Sequence, residues 1–233
     1  MRLILDTAHS ATFNMAADEF LMEQQSLSDG LPTLRIYTWD VPSVSIGYFQ
    51  DVAKTTRRFH EGATMVVVKR ITGGGLVQHG SDLTFSLALR KNNPYLPSDV
   101  KMSYLKVNEA LRLGLKDLYP ELDYADCKTA PSGRGDQERI CFEKPSCYDL
   151  LVGGKKVVGA SQRRREGAIL HQSSVFLKDP KPVLIEKILS GFRKLWNIEF
   201  QDKPFNPAES ALIRIKELQR YGSPEWASPV ISI

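Results

Sequence analysis

The sequence predicts an α+β domain with a mixed or antiparallel sheet and flanking helices. Three observations lead there. Short apolar, β-branched segments occur in groups joined by turn residues, and stretches with helical apolar spacing separate those groups. The chain has 233 residues and 42% hydrophobic content, enough for one full core. It shows no internal repeat and no low-complexity tract.

In order, Leu3 to Leu5 reads as a short strand, and Thr12 as the cap of a helix from Phe13 to about Gln25. Phe13, Ala16, Ala17, Phe20 and Leu21 form that helix's apolar face, and SDGLP (Ser28 to Pro32) ends it. Thr33 to Trp39 and Ser43 to Tyr48 read as strands broken at Asp40-Val41-Pro42, expected to pair antiparallel. Val52 to His60 follows as a short helix. The strand MVVVK (Met65 to Lys69) enters a triple glycine, Gly73 to Gly75. LTFSLAL (Leu83 to Leu89) leaves it, alternating as a half-buried strand does.

KNNPYLPSD (Lys91 to Asp99) closes the first half, and Ser103 begins a helix to roughly Leu118. Asp126 to Arg139 has the composition of a mobile loop, and loops of that length are usually functional lids or disordered. Tyr148 to Val152, Gly153-Gly154 and Lys156 to Ser161 form a hairpin. RRREG (Arg163 to Gly167) turns into the strand Ala168 to Leu177. Helices follow over Val183 to Trp196 and Ala208 to Tyr221, and the last dozen residues read as a tail. The expected organisation is one domain over residues 1–203, with a short helical C-terminal tail, residues 204–233, packed on it.

Composition excludes several classes. A net charge of +4 and a pI near 8.9 fall well short of a dedicated nucleic-acid binder and suit an acidic protein partner equally. The three cysteines, Cys127, Cys141 and Cys147, form no CxxC pair, so neither a disulfide framework nor a zinc knuckle is indicated. The N-terminus lacks a signal-peptide pattern and no apolar run reaches the ~20 residues of a membrane span. A cytoplasmic protein with no membrane partner is expected.

Neither GxxxxGK[ST] nor GxGxxG is present. The triple glycine is either a plain connection between strands or, beside Lys69, Arg70 and His79, a concavity of N–H groups for a carboxylate, phosphate or developing oxyanion. Cys141 and Cys147 each read as small buried hydrophobes. Cys141 also adjoins the long loop and a segment rich in cations (Arg134, Arg139, Lys144, Lys155, Lys156), which would favour a thiolate able to accept an acyl group. Lys156 reads as a solvated hairpin lysine or, with Gly159 and Ala160 close behind, as part of a site a ligand can approach. Arg163, Arg164 and Arg165 suit a solvated turn or a partner-docking patch. His79 and His171 have no ligand-like spacing, and no metal site is expected.

Four stretches, FNMAADEFL, RIYTWDVPSVSIGYFQ, KRITGGGLVQHGSDLTFSL and KKVVGASQRRREGAILHQSSV, together resemble the lipoate-protein ligase and octanoyltransferase family, across nearly the whole chain. The resemblance implies the biotin/lipoate protein ligase catalytic-domain fold. CFEKPSCYDLLVGGKK looks most like the cysteine-dependent octanoyltransferases. That likeness implies Cys141 as nucleophile, Lys156 as the active-site lysine, and Arg70, Thr72, Gly73, Gly74, Gly75 and His79 as the substrate-binding loop. It further implies octanoyl-acyl carrier protein as donor, a lysine of a lipoyl domain or of the glycine cleavage H protein as acceptor, and no cofactor.

Gly75 departs from the arginine such transferases tend to carry, and HQSS (His171 to Ser174) departs from a glycine-containing pattern. The alternative is therefore an ATP-dependent lipoate-protein ligase using ATP, Mg2+ and lipoate without Cys141. A third reading is a silent binding domain, or a nucleic-acid module on Arg163 to Arg165. The latter lacks interleaved aromatic residues.

Overall fold

A computed structural model of the chain describes residues 1–27, 30–59, 65–126 and 145–228. Its elements run β1 (Arg2–His9), α1 (Ala11–Ser26), β2 (Thr33–Trp39), β3 (Ser43–Ile46), α2 (Val52–Phe59), β4 (Val66–Lys69), β5 (Val77–His79) and β6 (Leu83–Arg90). After these come α3 (Val100–Leu115), β7 (Asp123–Tyr124), β8 (Leu150–Val152), β9 (Lys155–Lys156), β10 (Val158–Arg165), β11 (Ala168–Val175), α4 (Lys181–Trp196), β12 (Gln201–Asp202) and α5 (Pro207–Lys216). A π-helical turn, Glu217–Tyr221, continues α5.

The main sheet has the order β10-β11-β6-β2-β1-β12, antiparallel from β10 to β2 and parallel from β2 to β12. β3 leaves that sheet. It pairs parallel with β4 and antiparallel with β5 in a separate sheet, so the expected β2–β3 antiparallel pair does not form. β7, β8 and β9 make a third, small sheet. The expected hairpin strand from Lys156 to Ser161 is thus cut at Val157: β9 ends in the small sheet and β10 begins the main one. Val157 bridges them, its N–H donating to Leu150 O and its carbonyl accepting from Phe176 N.

β6 is buried on both faces rather than half-buried. Leu83, Phe85, Leu87 and Leu89 pack with α3 and α4 around Leu111, Ile188 and Phe192. The small and polar set between them, Thr84, Ser86 and Ala88, faces α1. Alternation in LTFSLAL therefore separates an apolar core from a buried polar layer, not core from water.

α1 starts two residues earlier than its apolar spacing indicated. Ser10, not Thr12, is the N-cap and accepts from Phe13 N at 3.2 Å, while Thr12 donates to Glu217 at 2.7 Å. Asp99 likewise caps α3 ahead of the expected Ser103. α1 is buried nearly all round because α5 and its π turn cover the side away from the sheet. Residues 226–228 return to the second sheet. Lys69 N donates to Trp226 O and Ser228 N to Val67 O, which extends β4 by an antiparallel bridge at Ala227.

The polar layer centres on Asp18 of α1. Its carboxylate accepts from Arg35 Nη1 (3.0 Å), Ser86 Oγ (2.7 Å), Tyr37 OH (2.8 Å) and Gln172 Nε2 (2.7 Å). The fully buried Arg35 also reaches Asn14 Oδ1 and Asp6 Oδ2 and stacks on the Tyr37 ring at 4.0 Å. Burial disfavours its charge, yet Asp18 and Asp6 hold the guanidinium above its ordinary pKa. Burial also pushes the Asp6 carboxyl up, but the His9 hydrogen bond and Arg35 prevail and lower it to about 2. A depressed carboxyl stabilises the fold above its unfolded value of 3.8, and that contribution is lost as pH falls toward 2. Urea unfolding between about pH 5 and pH 2 should show a steeper stability loss in the wild type than in Asp6→Asn. Equal slopes would remove Asp6 from this role.

Candidate active site

The glycine loop is held from inside. Arg70 is buried, and its Nη2 donates to Gly73 O and Gly75 O at 2.7 Å each, while Nη1 donates to Ser45 O and Oγ at 3.1 and 3.2 Å. The guanidinium thus satisfies carbonyls of the loop from its inner side. Lys69 Nζ lies 5.9 Å from the Trp226 ring centroid. Of the three glycines only Gly74 has a positive φ, +91°. Gly47 has the stricter steric demand, since a Cβ there would sit 2.1 Å from Gly74 O. Tyr48 N completes the contact by donating to Thr72 O at 2.9 Å.

Thr72 ties the loop to the polar layer. Its Oγ1 donates to Gln172 Oε1 (2.7 Å), lies 2.8 Å from Ser161 Oγ, and connects through Gln172 to Asp18. His79 is also buried: Nδ1 is 2.8 Å from Asp82, Nε2 is 2.8 Å from Ser45 Oγ, and Trp39 stacks on the ring at 3.8 Å. Burial raises the Asp82 carboxyl, but His79, Gly80 N–H and Thr84 more than offset it and its pKa is lowered. Arg70, His79, Gly159 and Ala160 line a nearly filled cavity of about 30 Å³.

A larger cavity of about 320 Å³ shares Ala160 with the first, and Gly74, Gly75 and Lys156 line it too. The structure therefore brings the loop and the hairpin lysine to one space. Gly153 and Gly154, with φ of +55° and +77°, turn β8 back into β9 and deliver Lys156. Its side chain is 3% exposed, and Nζ lies 2.6 Å from Asp149 Oδ2. The same carboxylate oxygen accepts from Ser146 N at 2.6 Å. Lys156 is thus a buried, ion-paired ammonium at the cavity wall, not a solvated hairpin residue. Lys101, Tyr104 and Asn108 of α3 form the opposite side.

Cys141 and Cys127 lie outside the described residues, as do Arg134, Arg139 and Lys144 and most of the Asp126 to Arg139 loop. Cys147 lines the larger cavity and is disulfide-bonded, against the expectation of unpaired thiols. The arginine triplet is used locally. Arg163 lies 4.8 Å from the Tyr48 ring centroid, Arg164 donates to Ser98 O and Ser103 Oγ, and Arg165 pairs with Glu166. His171 is buried between Gln162 and Ser173; burial, then the Arg164 charge, lowers its pKa to about 3 and keeps it neutral. Among the described residues, no group of three or more His, Cys, Asp or Glu is placed to hold a metal ion.

Sequence reasoning missed Asp149, Gly47, Gln172 and Asp18. Asp149 stands in the quoted CFEKPSCYDLLVGGKK segment, seven residues before Lys156. The glycine of SIGYFQ and the glutamine of HQSS were likewise in view without a role.

Residues 10–219 match the sequence family described as the lipoyl protein ligase A/B catalytic domain. The chain belongs to that family. It is 39% identical over 178 residues to the octanoyltransferase LipM of Carboxydothermus hydrogenoformans, a match covering 76% of this chain and 65% of that one. The LipM of Moorella thermoacetica is 34% identical, with 96% of both chains covered. A solved lipoate-protein ligase A bound with ATP superposes with a TM-score of 0.77 at 23% identity, covering 97% of each chain. A bipartite lipoate protein ligase from Thermoplasma acidophilum, solved in work on that ligase and its E2 lipoyl domain, gives 0.72 at 22%, covering 97% and 94%. These structural likenesses establish the fold, α+β with mixed sheets and flanking helices.

In this family member, Gly47→Ala should displace the glycine loop while leaving the main sheet and its helices intact. We expect unchanged far-ultraviolet circular dichroism and a loss of turnover of about ten-fold or more. Full turnover in a folded Gly47→Ala variant would show that the loop position is not needed.

Proposed function

We propose that this chain is an octanoyltransferase of protein lipoylation. On this reading it moves an octanoyl group from acyl carrier protein, through a thioester on Cys141, to a lysine of a lipoyl domain or of the glycine cleavage H protein. The supporting observation is the placement of the buried Lys156–Asp149 pair and the glycine loop on one cavity, which Ser146 and Tyr148 also line. At about 320 Å³ the cavity sits at the lower end of small-molecule pockets, roughly 300–1,000 Å³. The names of the LipM relatives support the same reaction. The protein would work in the cytoplasm. No described helix is long and apolar enough to cross a membrane.

The chemistry closes without an external energy source. The Cys141 thiolate attacks the octanoyl carbonyl, and the carrier's thiolate leaves. The acceptor amine then attacks the enzyme thioester, the C–S bond breaks, and the amine's proton ends on the Cys141 sulfur as an amide forms. The first step exchanges one thioester for another and the second runs downhill to an amide, so neither ATP nor a metal is required. The Lys156 ammonium stands ready to stabilise charge on the carbonyl oxygen or to relay the proton, with Asp149 holding it in place. Arg70, Thr72, Gly73 to Gly75, His79, Gly159 and Ala160 bind and shape the acyl group's surroundings on this account. Arg70 and His79 do so by holding the walls of the cavity.

With octanoyl-carrier protein and apo lipoyl domain and no ATP, the wild type should octanoylate the domain. Cys141→Ser should lose this by about a thousand-fold or more, and Lys156→Ala by about a hundred-fold or more. Retained acylation by Cys141→Ser supplied with ATP, Mg2+ and free lipoate would contradict the transferase reading and establish the ligase one.

A further inference from the structure

Residues 226–228 strap the outer edge of β4, the strand that runs into the glycine loop. The second sheet has the order β4-β3-β5, which leaves β4 with one edge to cover. Trp226 O accepts from Lys69 N at 2.7 Å, Ser228 N donates to Val67 O at 2.8 Å, and Val67 N donates to Ser228 Oγ at 2.9 Å. The Trp226 indole packs against the cluster of Met22, Ile71, Ala168 and Leu170. Its ring centroid lies 6.0 Å from that of Tyr48 and 5.3 Å from that of Tyr221, and Arg220 Cζ lies 4.9 Å from it. Ile71 and Tyr48 are the residues that flank Thr72: the first precedes it in the chain, and the second donates its N–H to the Thr72 carbonyl at 2.9 Å. Gly74 and Gly75 follow directly and line the larger cavity. The indole itself lines neither that cavity nor the nearly filled one.

We propose that Trp226 is a positioning residue for the transfer reaction. By supporting Ile71 and Tyr48 together it sets where the glycine loop stands against Lys156. This rests on the reaction proposed above, in which the loop shapes the surroundings of the acyl group. Truncating a packed indole leaves a void that its neighbours fill only in part, by moving. Arg70 still ties the carbonyls of Gly73 and Gly75 to one guanidinium, so the loop shifts as a unit and does not unravel. A misplacement of about 1 Å at a reacting centre, caused from a distance, can cost about a hundred-fold in rate. Where the lost interaction is one made only in the transition state, the loss falls on kcat and leaves KM in place.

The test uses the whole protein, isotope-labelled at its glycine nitrogens, with the variants Trp226→Ala, Trp226→Leu and Trp226→Phe. Trp196→Ala is the control, a loss of a partly buried indole that packs on Tyr95 and Phe192 beside α3. In Trp226→Ala the amide signals of Gly73, Gly74 and Gly75 should shift, while those of Gly114 and Gly191, which meet where α3 crosses α4, should stay. Measured well below the thermal midpoint, kcat for octanoyl transfer to apo lipoyl domain should fall by about ten-fold or more, with KM for octanoyl-carrier protein within about two-fold of wild type. Trp226→Leu should show the same pattern in smaller degree, and it carries the test if the alanine variant does not fold. Trp226→Phe, which keeps a ring, should restore both readouts, and Trp196→Ala should alter neither. Loop signals that stay in place in a folded Trp226 variant overturn the inference, as do shifted signals with full kcat, no rescue by phenylalanine, or an equal loss in Trp196→Ala. A wild type that transfers no octanoyl group overturns the proposed function instead, and the glycine signals then still decide whether the strap places the loop.

Discussion

The carboxylate of Asp18 is the point on which the rest of this structure depends. It joins α1 to β2 through Arg35 and Tyr37, to β6 through Ser86, and to β11 through Gln172. A guanidinium and a carboxylate taken out of water are tolerable only when both are saturated with partners, and removing one from such a pair typically costs about 3–5 kcal/mol. Here the saturation is shared among four elements, so each partner's position constrains the others. Gln172 passes the constraint to Thr72, and Thr72 to the glycine loop and Ser161. The loop is placed by the sheet's polar interior as well as by its own Arg70.

That arrangement gives the cavity two kinds of wall. On one side the loop is pinned by Arg70 from within and by Gly47 from behind, so its backbone is preorganised before any ligand arrives. On the other side Lys156 and Asp149 form a buried ion pair whose carboxylate is fixed by Ser146 N–H. α3 closes the space with Lys101, Tyr104 and Asn108. A buried ion pair and a preorganised glycine loop thus meet around one space. An acyl transfer that passes through two tetrahedral states calls for this set of groups.

Much of this was legible in the sequence. The apolar periodicities placed β2, β4, α4 and the β8 turn closely, and the joint spacing of the glycine loop, the cysteine segment and the Lys156 hairpin indicated the family. What failed shares a physical cause. LTFSLAL and TFNMAADEF carry polar residues that a single-sequence reading sends to water, whereas the structure buries them against one another. Alternation cannot tell a solvent face from a buried polar layer. Arg70 and His79 showed their charge in the sequence, whereas Ser45, which each of them contacts, lies too far along the chain for its approach to be read. The β2–β3 pairing failed because a proline turn marks a change of direction without saying whether the chain stays in its sheet. Asp149 carried no periodic signal; only its approach to Lys156 reveals it.

The most direct test of the account is a pulse and chase without nucleotide. The protein is mixed briefly with radiolabelled octanoyl-carrier protein, freed of donor, and given apo lipoyl domain in the absence of ATP. The account predicts label on Cys141, released by hydroxylamine as a thioester is, that moves to the domain lysine at a rate matching steady-state turnover. Label that never appears on Cys141, or that remains there while the domain is modified at full rate by another route, would contradict it.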